Sequence, residues 1–170
     1  MIDFVFQPLA KDHDRSSFRC GVAELDEYLQ RRAHQDVRRR VGVVFVMTPD
    51  DQPQHIAGFY SLSSASIVLE ELPPELARHL PRYPLVPAVL LGRLARDVGF
   101  PGTGRLLLLD ALARLLRHSK DVAAAVVLVD AKDDKANRFY ARYGFQGIAG
   151  EPKRMFLPMK TVAELLATDD

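Results

Sequence analysis

The chain has 170 residues, of which 48% are hydrophobic and 26% charged, with a formal net charge of +1. That length suits one domain spanning 1–170 with a sizeable core, and a near-neutral total excludes a protein built all round for a polyanion. A lone cysteine, Cys20, excludes an internal disulfide framework, and His13, His34, His55, His79 and His118 show no metal-ligand spacing, so no metal is expected. No apolar run approaches the roughly 18 residues of a membrane span. The opening MIDFVFQPLA has no basic segment before a long apolar run, so no secretory signal is expected and the location expected is cytoplasmic.

Residues 2–7 (IDFVFQ) alternate and are rich in β-formers, which predicts a first strand ended by Pro8. After a polar loop, Val22, Leu25, Tyr28, Leu29 and Ala33 fall at helical spacing and predict an amphipathic helix. Its far end reads RRAHQDVRRR, five arginines in ten residues against Asp36. Residues 41–47 (VGVVFVM) and 55–64 (HIAGFYSLSS) predict a hairpin around the turn TPDDQPQ. Residues 72–87 hold five prolines and leave room only for a short helix near 75–80.

The second half predicts a strand at 86–94, a Gly-punctuated turn at 99–104 and a helix at 105–117. The run VAAAVVLV at 122–129 predicts a strand buried on both faces. A short helix at 134–143 is closed by Gly144, and a strand at 154–159 and a helix at 161–166 follow. The order predicts a mixed α/β sheet with helices on its faces and a strand–helix–strand crossover. Such sheets bind ligands at the carboxyl ends of strands where neighbours diverge.

Two stretches carry chemistry. Pro101-Gly102-Thr103-Gly104-Arg105-Leu106 follows a strand and opens a helix, the layout in which several backbone N–H groups converge on a phosphate. By itself it reads equally as a plain tight turn. Ala136, Phe139, Tyr140, Tyr143, Gly144 and Phe145 stand in the order A-x-x-F-Y-x-x-Y-G-F; Tyr140 alone reads as a core aromatic on an amphipathic helix. Together the two stretches resemble the acetyl-coenzyme A site of the GCN5-related N-acetyltransferases (GNAT).

That resemblance implies the GNAT fold: α/β, with a mixed, mostly antiparallel sheet, helices on both faces and a splayed central strand pair. It implies acetyl-coenzyme A as cosubstrate. Gly102, Thr103, Gly104, Arg105 and Leu106 would cradle the pyrophosphate through their backbone. The backbone of Leu94, Ala95 and Arg96 would align the pantetheine arm and hold the thioester carbonyl. Tyr140 would give a proton to the departing thiolate, and Asn137 would face the coenzyme. Two residues depart from the family turn. Pro101 stands where Gln or Arg is usual, and Leu106, where Gly or Ala is usual, puts bulk beside the phosphates. Asp133 stands where many relatives carry an Asn that touches the coenzyme.

The N-terminal half narrows the resemblance. FRCGVAELDEYLQRRA is similar to the F-x-C-G-x-x-x-L-D-x-[YFW]-L-x-x-x-A opening of the acetyltransferase toxins of bacterial toxin–antitoxin pairs, with Phe18, Cys20, Gly21, Leu25, Asp26, Tyr28, Leu29 and Ala33 matching. Those toxins acetylate the α-amino group of aminoacyl-tRNA and block translation. The resemblance further implies a homodimer and a ribbon-helix-helix antitoxin as partner. Aminoacyl amines have a pKa near 8 or below and need little help from a base, which suits a chain with no clear catalytic base; Glu24 and Asp26 read better as solvated or capping residues. Arg31, Arg32, Arg38, Arg39 and Arg40 supply cationic surface for tRNA, with Arg78, Arg82 and Arg93 as lesser candidates; a solvated helix end is the plainer reading of the run. The alternatives are an acetyltransferase of a small-molecule or protein amine and a catalytically weak relative that binds the coenzyme.

Overall fold

The computed structural model describes residues 1–168, so the last two positions of the expected domain lie outside the described residues. The strands are β1 (Phe4–Pro8), β2 (Val43–Pro49), β3 (Gly58–Val68), β4 (Leu85–Arg96), β5 (Val126–Asp130), β6 (Gln146–Ile148) and β7 (Glu151–Pro158). They hydrogen-bond in the order β1-β2-β3-β4-β5-β7-β6, with β4–β5 parallel and β1–β2, β2–β3, β5–β7 and β6–β7 antiparallel. The helices are α1 (Ala23–Glu27), α2 (Ala33–Arg38), α3 (Pro74–Ala77), α4 (Gly104–His118), α5 (Asp134–Ala141) and α6 (Met159–Thr168). No helix among the described residues is long and apolar enough to cross a membrane. The chain divides into two units, Met1–Ser63 with Gly92–Ala111, and Ser64–Leu91 with the chain from Leu112 onward.

In the first unit, Phe18, Tyr28, Leu29 and Ala33 pack on Val44 and Val46 of β2, Phe59 of β3, Ala95 of β4 and Ile56. Phe18 meets Phe59 edge-on at 5.4 Å, and Tyr28 stacks on Phe59 at 6.2 Å. The strand alternation sends Tyr60 to the other face, where it stacks on Phe45 and donates its hydroxyl to Asp110 Oδ2 at 2.5 Å. Gly58 allows that packing, since a Cβ there would meet Leu107 Cδ1 at 2.7 Å and Ala95 O at 3.1 Å.

The first helical segment differs from the single helix that the spacing predicts. α1 and α2 are joined through a π-helical turn, Tyr28–Arg32. A π-turn adds one residue to the helix, and side-chain periodicity does not reveal it.

In the second unit, Val126, Val127, Leu128 and Val129 are fully buried between β4 and β7, which explains their unbroken apolar run. Ile67, Leu72, Val86, Ala88, Ile148 and Phe156 complete this core, and Leu76 and Leu80 of the proline-rich stretch pack against it. β5 begins at Val126 rather than Val122, which is 77% exposed; the Val122 N–H bonds back to His118 O at the end of α4. β6 has no counterpart in the sequence reading. Its three residues, Gln-Gly-Ile, are too short and too polar to alternate, and its pairing with β7 shifts register at Gly147/Ile148.

Candidate active site

β4 pairs with β5 in parallel from Ala88↔Val126 to Leu91↔Val129, and β4 then runs on to Arg96 past the last pair. Leu94, Ala95 and Arg96 lie in this extension. Ala95 is anchored in the first unit's core, while Leu94 and Arg96 are half-buried. A backbone stretch that leaves one partner has peptide groups to offer a ligand.

The turn after β4 is tied down at several points. Asp97 is buried and accepts the Gly99 N–H at 2.8 Å and the Arg19 N–H at 2.9 Å. Its own N–H donates to Ala57 O at 2.8 Å, and Arg96 Nη1 donates to Asp97 O at 3.4 Å. Phe100 makes ring contacts with Phe4 at 5.9 Å and His55 at 5.5 Å. Thr103 donates its hydroxyl to Phe100 O at 2.8 Å just before α4 begins at Gly104.

Gly102 has φ +80°, the left-handed region, and a Cβ there would meet nothing within 4 Å. The glycine is therefore required by its backbone angle, and the space outside it is open to a phosphate. An α-helix turns its first N–H groups outward, and α4 begins at Gly104. Leu107 and Leu108 are buried, whereas Leu106 is 39% exposed on the outer side of the first turn. The bulk expected at Leu106 is directed away from the core. Pro101, Gly102 and Arg105 are exposed. A helix start preceded by the open, left-handed Gly102, with Arg105 in its first turn, fits a pyrophosphate.

The first helical segment carries the arginines. Arg31 and Arg32 lie on the π-turn, and Arg32 pairs with Glu27 at 3.6 Å. Arg38, Arg39 and Arg40 are exposed at the end of α2. Arg40 has φ +59°. Its N–H donates to Val37 O and the Val41 N–H to Asp36 O, a Schellman closure in which glycine is the usual occupant. Asp26 accepts the Cys20 N–H at 2.8 Å, which ties α1 back to the segment before it, and the N-cap Val22 has no side-chain cap. Cys20 packs against the core and its thiol faces Val22 O at 3.5 Å.

In the second unit, α5 carries Asn137 and Tyr140 one turn apart. Asp133, placed by resemblance where an Asn touches the coenzyme, is the N-cap of α5 and accepts the Ala136 N–H at 2.8 Å. Tyr140 is 7% exposed, with ring contacts to Phe139 at 5.2 Å and Phe145 at 5.4 Å. Burial first, and the nearby charge of Asp130 second, push its phenol well above the ordinary value. Asp130 is held by Arg154 through bonds of 2.9 and 3.1 Å. Among the described residues no group of three or more His, Cys, Asp or Glu side chains is placed to hold a metal ion.

The sequence reading missed Asp97 as an organising residue. An Asp between a strand and a Gly turn is its signal, because its short carboxylate caps nearby N–H groups. It also left Tyr28, Asp36 and Arg93 unconnected. In the structure the Arg93 guanidinium carbon lies 3.6 Å from the Tyr28 ring centroid, and the Tyr28 hydroxyl donates to Asp36 Oδ2 at 3.1 Å.

No protein-family model matches the chain. The probable toxin TacT of Sinorhizobium fredii is 33% identical over 172 residues, covering 95% of this chain and 94% of that protein. The chain belongs to the TacT/AtaT-like toxins of the GCN5-related N-acetyltransferase family. A second relative in this toxin family, the tRNA-acetylating toxin of Mycobacterium tuberculosis, is 32% identical over 155 residues, covering 90% of each chain. Among solved structures of these toxins, AtaT complexed with acetyl-methionyl-tRNAfMet is 26% identical with a TM-score of 0.88, covering 96% of this chain and 99% of that one. AtaTR bound with acetyl-coenzyme A is 25% identical with a TM-score of 0.81, covering 96% and 98%.

Proposed function

We propose that this chain is an acetyl-coenzyme A-dependent N-acetyltransferase that acetylates the α-amino group of aminoacyl-tRNA and so blocks translation, working as a single acetyltransferase domain. The observation that carries the reading is similarity along almost the whole chain to a probable toxin TacT and to a tRNA-acetylating toxin. The open, left-handed Gly102 turn at the start of α4 supports the cosubstrate. A cytoplasmic location, a homodimer and a ribbon-helix-helix antitoxin complete the proposal, supported by the kinship with a toxin family whose solved structures include AtaTR.

In this mechanism the N–H groups of Gly102, Thr103, Gly104, Arg105 and Leu106 bind the pyrophosphate of acetyl-coenzyme A, and Asn137 faces the coenzyme. Backbone N–H groups in the stretch Leu94–Ala95–Arg96 bind the thioester carbonyl oxygen, where negative charge grows as the amine attacks. The new C–N bond forms, the C–S bond breaks, and Tyr140 hands its proton to the thiolate. The proton lost by the attacking nitrogen goes to solvent, and a solvent proton returns to the Tyr140 phenolate, so the acid is restored for the next turnover. A phenol kept neutral by its surroundings retains that proton across the working range. Arg31, Arg32, Arg38, Arg39 and Arg40 contact tRNA phosphates. Arg40 supports this role: a side chain kept in a left-handed position, where glycine is less strained, is doing something that glycine does not.

The test is transfer of labelled acetyl from acetyl-coenzyme A to bulk charged tRNA, beside Tyr140→Phe. Label on the aminoacyl end, lost in the variant, supports both reaction and residue. Coenzyme binding without label on any tRNA would redirect the reading to a small-molecule or protein amine. Absence of coenzyme binding would leave a relative that no longer does the chemistry.

A further inference from the structure

Arg93 precedes Leu94 on β4, so it stands one residue from the backbone assigned to the thioester. It does not extend freely. Its guanidinium carbon is 3.6 Å from the Tyr28 ring centroid, close enough to lie against the ring face. Tyr28 cannot move aside, because it is 4% exposed, stacks on Phe59 and donates its hydroxyl to Asp36. A guanidinium held against an aromatic face is fixed in orientation, and its planar fork of N–H donors matches a phosphate in two-pronged fashion.

The helix is altered to make this arrangement. On a regular α-helix a residue eight positions on lies about 80° round the axis, so Tyr28 and Asp36 would face apart. The π-turn Tyr28–Arg32 absorbs one residue. Asp36 then sits as if seven positions on, about 20° from Tyr28 and on the same face. π-turns are rare and gather at functional sites. Here the turn begins at the tyrosine and lets the helix end that carries Arg38, Arg39 and Arg40 reach back to hold it.

We propose that Arg93 is a substrate-binding residue that grips a backbone phosphate at the acceptor end of the aminoacyl-tRNA, and that Tyr28 and Asp36 are positioning residues that hold its guanidinium in line. The inference rests on the tRNA reading and deepens it. A small amine has no phosphate for Arg93 to hold, so the residue contributes to the choice of substrate as well as to affinity.

The test compares wild type, Arg93→Gln, Arg93→Lys and Asp36→Asn in steady-state acetylation of bulk charged tRNA over a salt series, with acetyl-coenzyme A affinity measured by calorimetry. Loss of one phosphate contact lowers the slope of log(kcat/KM) against log salt by about 0.7 to 0.9. Arg93→Gln is expected to show that fall, a roughly tenfold higher KM for charged tRNA, a kcat within about twofold of wild type and an unchanged coenzyme affinity. Arg93→Lys should restore the slope but not the full KM, since it keeps the charge and loses the fork. Asp36→Asn should raise KM in the same direction by less. An unchanged slope in Arg93→Gln, or a parallel loss of coenzyme affinity, would overturn the proposal and leave Arg93 a packing residue. Should the glutamine variant fold poorly, Arg93→Lys still decides, because a KM equal to wild type removes the fork from the argument. Failure of the tRNA reading itself is visible separately, as wild-type protein that binds the coenzyme and labels no tRNA.

Discussion

Tyr28 in the first unit and Tyr140 in the second are buried almost equally, at 4% and 7% exposed, and burial raises the phenol of each. Tyr28 is pushed up to about 12, with Asp36 adding to the rise and Arg93 opposing it. The two are held differently. Tyr28 commits its hydroxyl to Asp36 and its face to Arg93. Tyr140 is gripped by its ring, between Phe139 and Phe145. Burial alone therefore does not assign a tyrosine to chemistry. What distinguishes the two is whether the surroundings use up the phenolic proton or merely keep it in place.

The largest effect should come from Tyr140→Phe. Removing a positioned acid is expected to lower kcat by about 10²- to 10⁴-fold. Coenzyme affinity should stay near wild type, and a kcat within threefold would give the Tyr140 ring a packing role only. The pH profile sharpens the same point. An acid must be protonated to act, and a phenol raised above its ordinary value near 10 stays protonated at higher pH. Rate should rise as the aminoacyl amine loses its proton, near pH 8 or below, and then hold flat to about pH 10. A falling limb below that pH would mean that some other group is the acid.

On the first unit's side, Asp97→Ala should be the costly change. It removes a charged acceptor from two part-buried N–H groups, for a loss of about 1.5 to 3 kcal/mol in a denaturant titration. Coenzyme affinity should fall with it, because Asp97 shapes the turn.

Arg40→Gly separates stability from function in a single residue. Relief of the left-handed backbone should raise stability by about 1 kcal/mol, or a Tm gain of roughly 2 to 4 °C. Use of charged tRNA should drop several-fold at the same time. A gain in stability with undiminished tRNA use would return Arg40 to the solvated helix end. Smallest of all, Cys20→Ala should cost less than about 1.5 kcal/mol and leave the rate alone, since the thiol is a half-buried packing group.

Much of the architecture was legible because local physics dictated it. A strand flanked on both sides reads as an unbroken apolar run, and Val126–Val129 is buried throughout. Gly102 and Gly144 stand where φ is positive, and glycine takes that region without strain. Strand and helix ends were misread where no periodic signal exists: at polar β6, at the polar start of β7 and at exposed Val122.

By itself the sequence determined the mixed α/β order, the Gly turn at the head of α4, the aromatic helix with Tyr140 and the kinship with a toxin family, because each is written in neighbouring residues. The tertiary structure alone decided what the polar side chains do. Asp133 became a helix cap, Asp97 a tie between the turn and the Arg19 backbone, and Arg93 a partner of Tyr28. Those roles join residues far apart in the chain or turn on a single hydrogen bond. The inserted residue of the π-turn, which sets Asp36 beneath Tyr28, is a backbone choice that helix propensity does not record.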